Sequence, residues 1–176
     1  MKTLFLLLLL VLLGGAGPGA GRAAAQDLQP VINRQFQVKY QVPADWHLSR
    51  HRTDSLALVS YRSPDHSTQL WVGELRGPHR QLPPAQALQR LLRHLGATRH
   101  TEHNASAHGL DYLESTGTCR VNGRELRYDA RVTFHQGHAL VVYVYATADK
   151  FTLQEPLLHR LLDSLTPVPA HQAPHR

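Results

Sequence analysis

The stretch Leu110–Ala146, LDYLESTGTCRVNGRELRYDARVTFHQGHALVVYVYA, decides the fold of this chain. Asn122-Gly123 is its strongest hairpin signal, because both residues tolerate positive φ in a two-residue turn. A turn there sets a register in which Leu113 faces Val132, Ser115 faces Ala130, Gly117 faces Tyr128 and Cys119 faces Leu126. The other face pairs Glu114 with Arg131 and Arg120 with Glu125. One face is then mostly apolar, and the other is expected to be a solvated ladder of complementary charges. Such cross-strand pairs contribute from a few tenths to about 1 kcal/mol each. Gln136-Gly137 is a second candidate turn, and it would stand His135 beside His138. The strand that follows, His138–Ala146, is apolar on both faces and so reads as central, covered on both sides.

Working outward, Phe36, Val38, Tyr40 and Val42 alternate with polar residues until Pro43 stops the segment, a period-two strand. Further strands are expected near 55–62 and 68–75, turned by Pro64-Asp65. The period then changes. Pro83 and Pro84 open a helix whose Leu88, Leu91, Leu92 and Leu95 share a stripe, with Gln86, Gln89, Arg90 and Arg93 opposite and Gly96 as its stop. A weaker strand is expected at 100–104. Downstream, Thr152 and Glu155 suggest a capping box, with Pro156 in the first helical turn. Leu153, Leu157, Leu161 and Leu165 would form its buried stripe. The predicted class is α/β in the α+β sense: an antiparallel meander flanked by one helix on each face.

The ends carry an address. Lys2 precedes an apolar run from Leu4 to Leu13, and the Gly/Ala-rich segment after it closes in Ala23-Ala24-Ala25. These are the parts of a secretory signal peptide, and the run is shorter than the about 20 apolar residues a membrane span needs. Cleavage is expected after Ala25, giving a secreted or periplasmic chain with no transmembrane helix and no cysteine placed for a lipid anchor. The expected layout is a signal peptide over 1–25, a lead over 26–34, one domain over 35–165 and a disordered tail over 166–176.

The segment Phe36-x-Val38-x-Tyr40-x-Val42-Pro43-x-x-Trp46 resembles the first strand of the PsbP-like family. So does the close, Val141-Val142-Tyr143-Val144-Tyr145-Ala146, then Phe151 and a helix ending in Ser164-Leu165. The family includes an extrinsic photosystem subunit, a Ran-binding relative and many small exported bacterial proteins. The resemblance implies an α-β-α sandwich over about 35–165. It also implies a mostly non-enzymatic role in binding partners or ions. The matching residues are core and turn positions, so no functional residue carries over.

Chemistry is sparse. There is no nucleophile elbow, phosphate-cradling glycine loop, His-Glu-x-x-His or paired-cysteine zinc spacing. Basic residues are spread out, without the Lys/Arg block expected of a nucleic-acid partner. Cys119, the single cysteine, reads as a small buried side chain, or else as a reactive thiol. Histidine is unusual, at 13 residues. Neutral imidazole suits Zn, Cu or Ni, and His135 with His138 are the candidate ligands of a weak site, joined by one or more of His100, His103 and His108. The plainer reading is composition, with histidine filling polar surface. Trp46 and Trp71 are expected as core or lid packing. The leading expectation is an exported, non-enzymatic binding or accessory module that needs no cofactor and acts on a protein or small-ligand partner in the envelope. Weak transition-metal binding is the alternative, and an enzyme without a recognisable motif the second alternative.

Overall fold

A computed structural model describes residues 26–168. The signal-peptide, cleavage and tail readings for 1–25 and 169–176 lie outside the described residues. Ten strands and two helices follow in chain order. They are β1 (Leu28–Asn33), β2 (Val38–Pro43), β3 (His47–Arg52), β4 (Leu56–Arg62), β5 (Thr68–Leu75), α1 (Pro84–Leu95), β6 (Arg99–Ala107), β7 (Leu110–Val121), β8 (Arg124–His135), β9 (His138–Ala146), α2 (Ala148–Asp163) and β10 (Thr166–Pro167).

Seven strands form one antiparallel sheet in the order β3-β4-β5-β9-β8-β7-β6. The register of β7 on β8 is the one set by Asn122-Gly123, from Leu113 opposite Val132 to Val121 opposite Arg124. Both turns have the positive φ pair that the tight hairpin requires: 50° and 77° at Asn122 and Gly123, 51° and 79° at Gln136 and Gly137. Strand β9 is central, with Leu140, Val142, Val144 and Ala146 in one core and Ala139, Val141 and Tyr143 in the other. Helix α1 covers the second face and α2 the first. This is the meander with a helix on each face. Gly96 closes α1 in the left-handed region at φ 61°.

A second, three-stranded sheet, β1-β2-β10, lies on the α2 side and contributes Val38, Tyr40 and Val42 to that core. Its β1 falls in the segment read as a lead, and its β10 in the segment read as tail. Pro30 breaks the apolar alternation of β1, which an edge strand tolerates. Strand β3 also went unread, because all six of its residues are exposed and no period-two signal exists on such an edge.

Two expectations are corrected. Helix α2 starts four residues before Thr152, with Thr147 at its N-cap, so Pro156 lies inside it. The Thr152 hydroxyl donates back to the Ala148 carbonyl at 3.1 Å and does not cap. Leu153 is 75% exposed and outside the buried stripe, which runs through Phe151, Leu157, Leu158, Leu161 and Leu162. The Glu114–Arg131 pair is not solvated. Its face of β7 and β8 lies under α2, and both residues are buried, while Arg120 and Glu125 stay exposed at the hairpin end.

Candidate functional site

Helix α1 packs through Ala87, Leu88, Leu91, Leu92 and Leu95 onto one end of the sheet, over β7, β8 and β9. The same sheet face continues beyond it across β5, β4 and β3. At the step between helix and β4 lies a groove of about 490 Å³, within the range of small-molecule sites. Leu56, Leu58, Leu75, Leu91, Val141 and Tyr143 make its apolar wall, and Thr53 and Ser55 close one end. Arg90, Arg93 and His94 stand on its rim.

Local sequence explains the shape. Gly73 lies on this face of β5, opposite Leu58 on one side and Val141 on the other. A Cβ at Gly73 would collide with the Leu58 side chain and the Ala57 carbonyl, so only glycine lets the wall descend there. Beside it runs an aromatic row. The His51 ring lies 4.8 Å from that of Trp71, Trp71 stacks on Tyr143 at 5.9 Å and 10°, and Tyr143 lies 6.3 Å from Tyr145. Trp71 is half-buried. Arg90, Arg93 and His94 fall at i, i+3 and i+4, one stripe of α1. Among the described residues none of the three forms a salt bridge.

Sequence reasoning placed Arg90 and Arg93 on the solvent side of α1 and missed the groove. A lone glycine in an apolar strand, two residues after a tryptophan, was the available signal.

The histidines divide. His135 and His138 pair across the turn as expected and share the α2-side face. Each is separately engaged. His135 Nε2 lies 3.3 Å from the Gln37 carbonyl, and burial holds its pKa below the ordinary imidazole value. His138 Nδ1 lies 3.0 Å from the Gln136 carbonyl, and its buried Nε2 sits 3.2 Å from Glu74 Oε2 without an aligned hydrogen bond. Strand alternation sends His100 and His103 to opposite faces of β6, and His108 is in the following turn. Among the described residues, no three His, Cys, Asp or Glu side chains converge to hold a metal ion.

A charged cluster under α2 also went unread. Arg131 Nε lies 2.7 Å from Glu114 Oε1, and its Nη1 donates to Asp163 Oδ1 at 2.7 Å, tying the helix to the sheet. His103 Nε2 is 2.8 Å from the other Glu114 oxygen. Buried Asp129 lies one residue pair away, with His159 at 3.8 Å, and desolvation raises its pKa. These opposite charges lie together beneath a packed helix, which is a fastening role, although buried Arg131 Nε and Asp129 Oδ1 have no aligned hydrogen-bond partner. Cys119 is fully buried, and desolvation pushes its thiol up to about 11. At neutral pH it is a protonated core side chain, unlike an open nucleophile.

No family model and no curated protein sequence matches this chain. Solved structures do. The chain has the PsbP-like fold. It superposes on the solution structure of CyanoP, the cyanobacterial PsbP of Synechocystis sp. PCC 6803, with a TM-score of 0.62 and 14% identity. The match covers 87% of this chain and 99% of that one. Two further matches are PA94 of Pseudomonas aeruginosa, a protein of unknown function and putative regulator, and LpqN of Mycobacterium tuberculosis, involved in cell envelope biogenesis. PA94 matches at TM-score 0.49 and 13% identity over 81% and 99% of the two chains. LpqN matches at 0.48 and 19% over 80% and 91%. At these identities the shared property is architecture.

Proposed function

We propose that the chain is exported and works as a non-enzymatic binding or accessory module for an envelope or extracellular component, taking its ligand in the groove beside α1. The carrying observation is the half-covered sheet face, where an apolar wall meets two arginines and a histidine without acid partners among the described residues. That lining offers contact surface and charge, not a paired acid and base. The apolar run Leu4–Leu13 followed by Ala23-Ala24-Ala25 supports export. Among the described residues no helix is long and apolar enough to cross a membrane. A photoreactive residue in place of Thr53, which lines the groove, is expected to crosslink the ligand in expressing cells. The same residue in place of Leu153, exposed on α2, is expected to give none. Adducts from Leu153 alone would overturn the assignment.

A second reading, weak transition-metal binding, is favoured by one contact. His138 Nδ1 lies 3.0 Å from the Gln136 carbonyl, which leaves its Nε2 facing the Glu74 carboxylate at 3.2 Å. A metal cation could take both atoms as ligands. The ligands would be His138 and Glu74, with His135 held aside on Gln37. In a thermal-melt series with Zn, Cu or Ni, a metal-induced rise lost in Glu74→Gln and kept in His135→Asn is the expected result. An ion at 100 times its dissociation constant adds about 2.7 kcal/mol. A rise that needs His135 and not Glu74 would restore the histidine pair, and no rise would remove the reading.

A further inference from the structure

Resting on the binding-module reading, we propose that the groove takes a small single-chain amphiphile with an anionic head. The tail would lie along Leu58, Val141 and Tyr143, and the head would sit on Arg90 and Arg93. Three features of the groove select this chemistry.

The first is the division of the lining. Strand and helix residues supply aliphatic and aromatic wall, and the charge is confined to one rim. An apolar tail loses water against the wall while a head group stays at the mouth. The second is the sign and geometry of that rim. The like charges of Arg90 and Arg93, at i and i+3, repel mildly in a helix. The dipole at the α1 C-terminus offsets this for Arg93, which lies in the last turn, but not for half-buried Arg90. An incoming anion would relieve both. Guanidinium is also the side chain best shaped to hold a carboxylate or phosphate with two parallel hydrogen bonds. The third is size. At about 490 Å³ the groove holds a small molecule, whereas a stable protein partner buries on the order of 1,200–2,000 Å² and would need the flatter surface beyond it.

The test uses the full chain as the cell processes it, with three probes of equal tail length and different heads: decanoate, decanol and decylammonium. Each is titrated below its aggregation point by calorimetry, with tryptophan emission as a second signal because Trp71 stacks on the groove-lining Tyr143. Decanoate is expected to bind about tenfold or more tighter than decanol, with decylammonium weakest. Arg90→Gln with Arg93→Gln is expected to remove that preference, so that decanoate and decanol bind alike. Arg90→Lys with Arg93→Lys is expected to retain most of it. Equal affinity for decanoate and decanol, or indifference to the glutamine variant, would overturn the anionic head. If none of the probes binds while Thr53 still crosslinks a protein or a second copy of this chain, the amphiphile is wrong and the binding module stands. If no probe binds and no crosslink forms, both are wrong.

Discussion

Replacing Arg131 with alanine is expected to destabilise this fold more than any surface change, by about 3–5 kcal/mol. The reason is what stays behind. Arg131 is buried beneath α2, where it neutralises Glu114 and reaches Asp163 on the helix. It also sits near Asp129, whose raised pKa already reports a carboxylate held out of water. Without the guanidinium, two buried carboxylates lose their cation and α2 loses its ionic fastening to β8. For a chain of this size the loss corresponds to a fall of roughly 10 °C in melting temperature.

The pH dependence has a definite sign. A carboxyl whose folded pKa is raised takes up its proton in the folded state first, so it favours folding at low pH. That contribution is lost as pH rises through the folded value. The Arg131→Ala penalty is therefore expected to shrink on acidification toward the titration range of Asp129. A melt series across pH, with Glu114→Leu/Arg131→Met as comparison, checks this. The double variant should recover much of the loss, because a buried ion pair replaced by apolar groups costs far less than one left half-removed. An Arg131→Ala melt within a degree or two of the parent would contradict the buried pair.

The second large effect is expected at Gly73. Alanine there drives a Cβ into Leu58 and into the backbone of β4, in a strand fixed between β4 and β9. Neither neighbour can move without disturbing its own pairing, so the cost is about 3 kcal/mol, at the upper end for overpacking. The relief available to Leu58 is outward, into the groove it lines. Gly73→Ala is thus expected to lower the melt and to weaken groove binding together. An overpacking change on the α2 face, Ala146→Val in the buried core, should lower the melt without touching binding. Equal loss of binding in both would show that binding follows global stability and not groove shape.

Much of the fold was legible where local chemistry and periodicity agree. Asn122-Gly123 set a register that holds from Val121–Arg124 out to Leu113–Val132, and the leucine stripe with Gly96 gave α1 nearly to the residue. Edge elements were not legible. The exposed β3 has no buried face to imprint a period, and Thr166–Pro167 is too short to carry one. Nor does alternation along a strand say what will cover a face. Glu114 and Arg131 read as a wet ladder because the sequence does not reveal that α2 folds over them. The groove was hidden for a related reason. Arg90 and Arg93 lie off the leucine stripe, and only the offset of α1 from the middle of the sheet turns that flank toward Leu58 and Val141. His135 and His138 were rightly placed side by side, but one ring nitrogen of each is engaged, by the Gln37 carbonyl brought in from a turn distant in sequence and by the Gln136 carbonyl of their own turn, while Glu74 of β5 faces the other His138 nitrogen.

The central claim is that this chain binds through the α1 side of its large sheet. Amide hydrogen exchange tests it most directly, comparing the chain in the native fraction of expressing cells with the same chain after purification. Slower exchange in the native fraction is expected over residues 53–60 and 88–96, with α2 unchanged. Protection confined to α2 or to the β1–β2 hairpin would contradict the claim and move the binding surface to the opposite face.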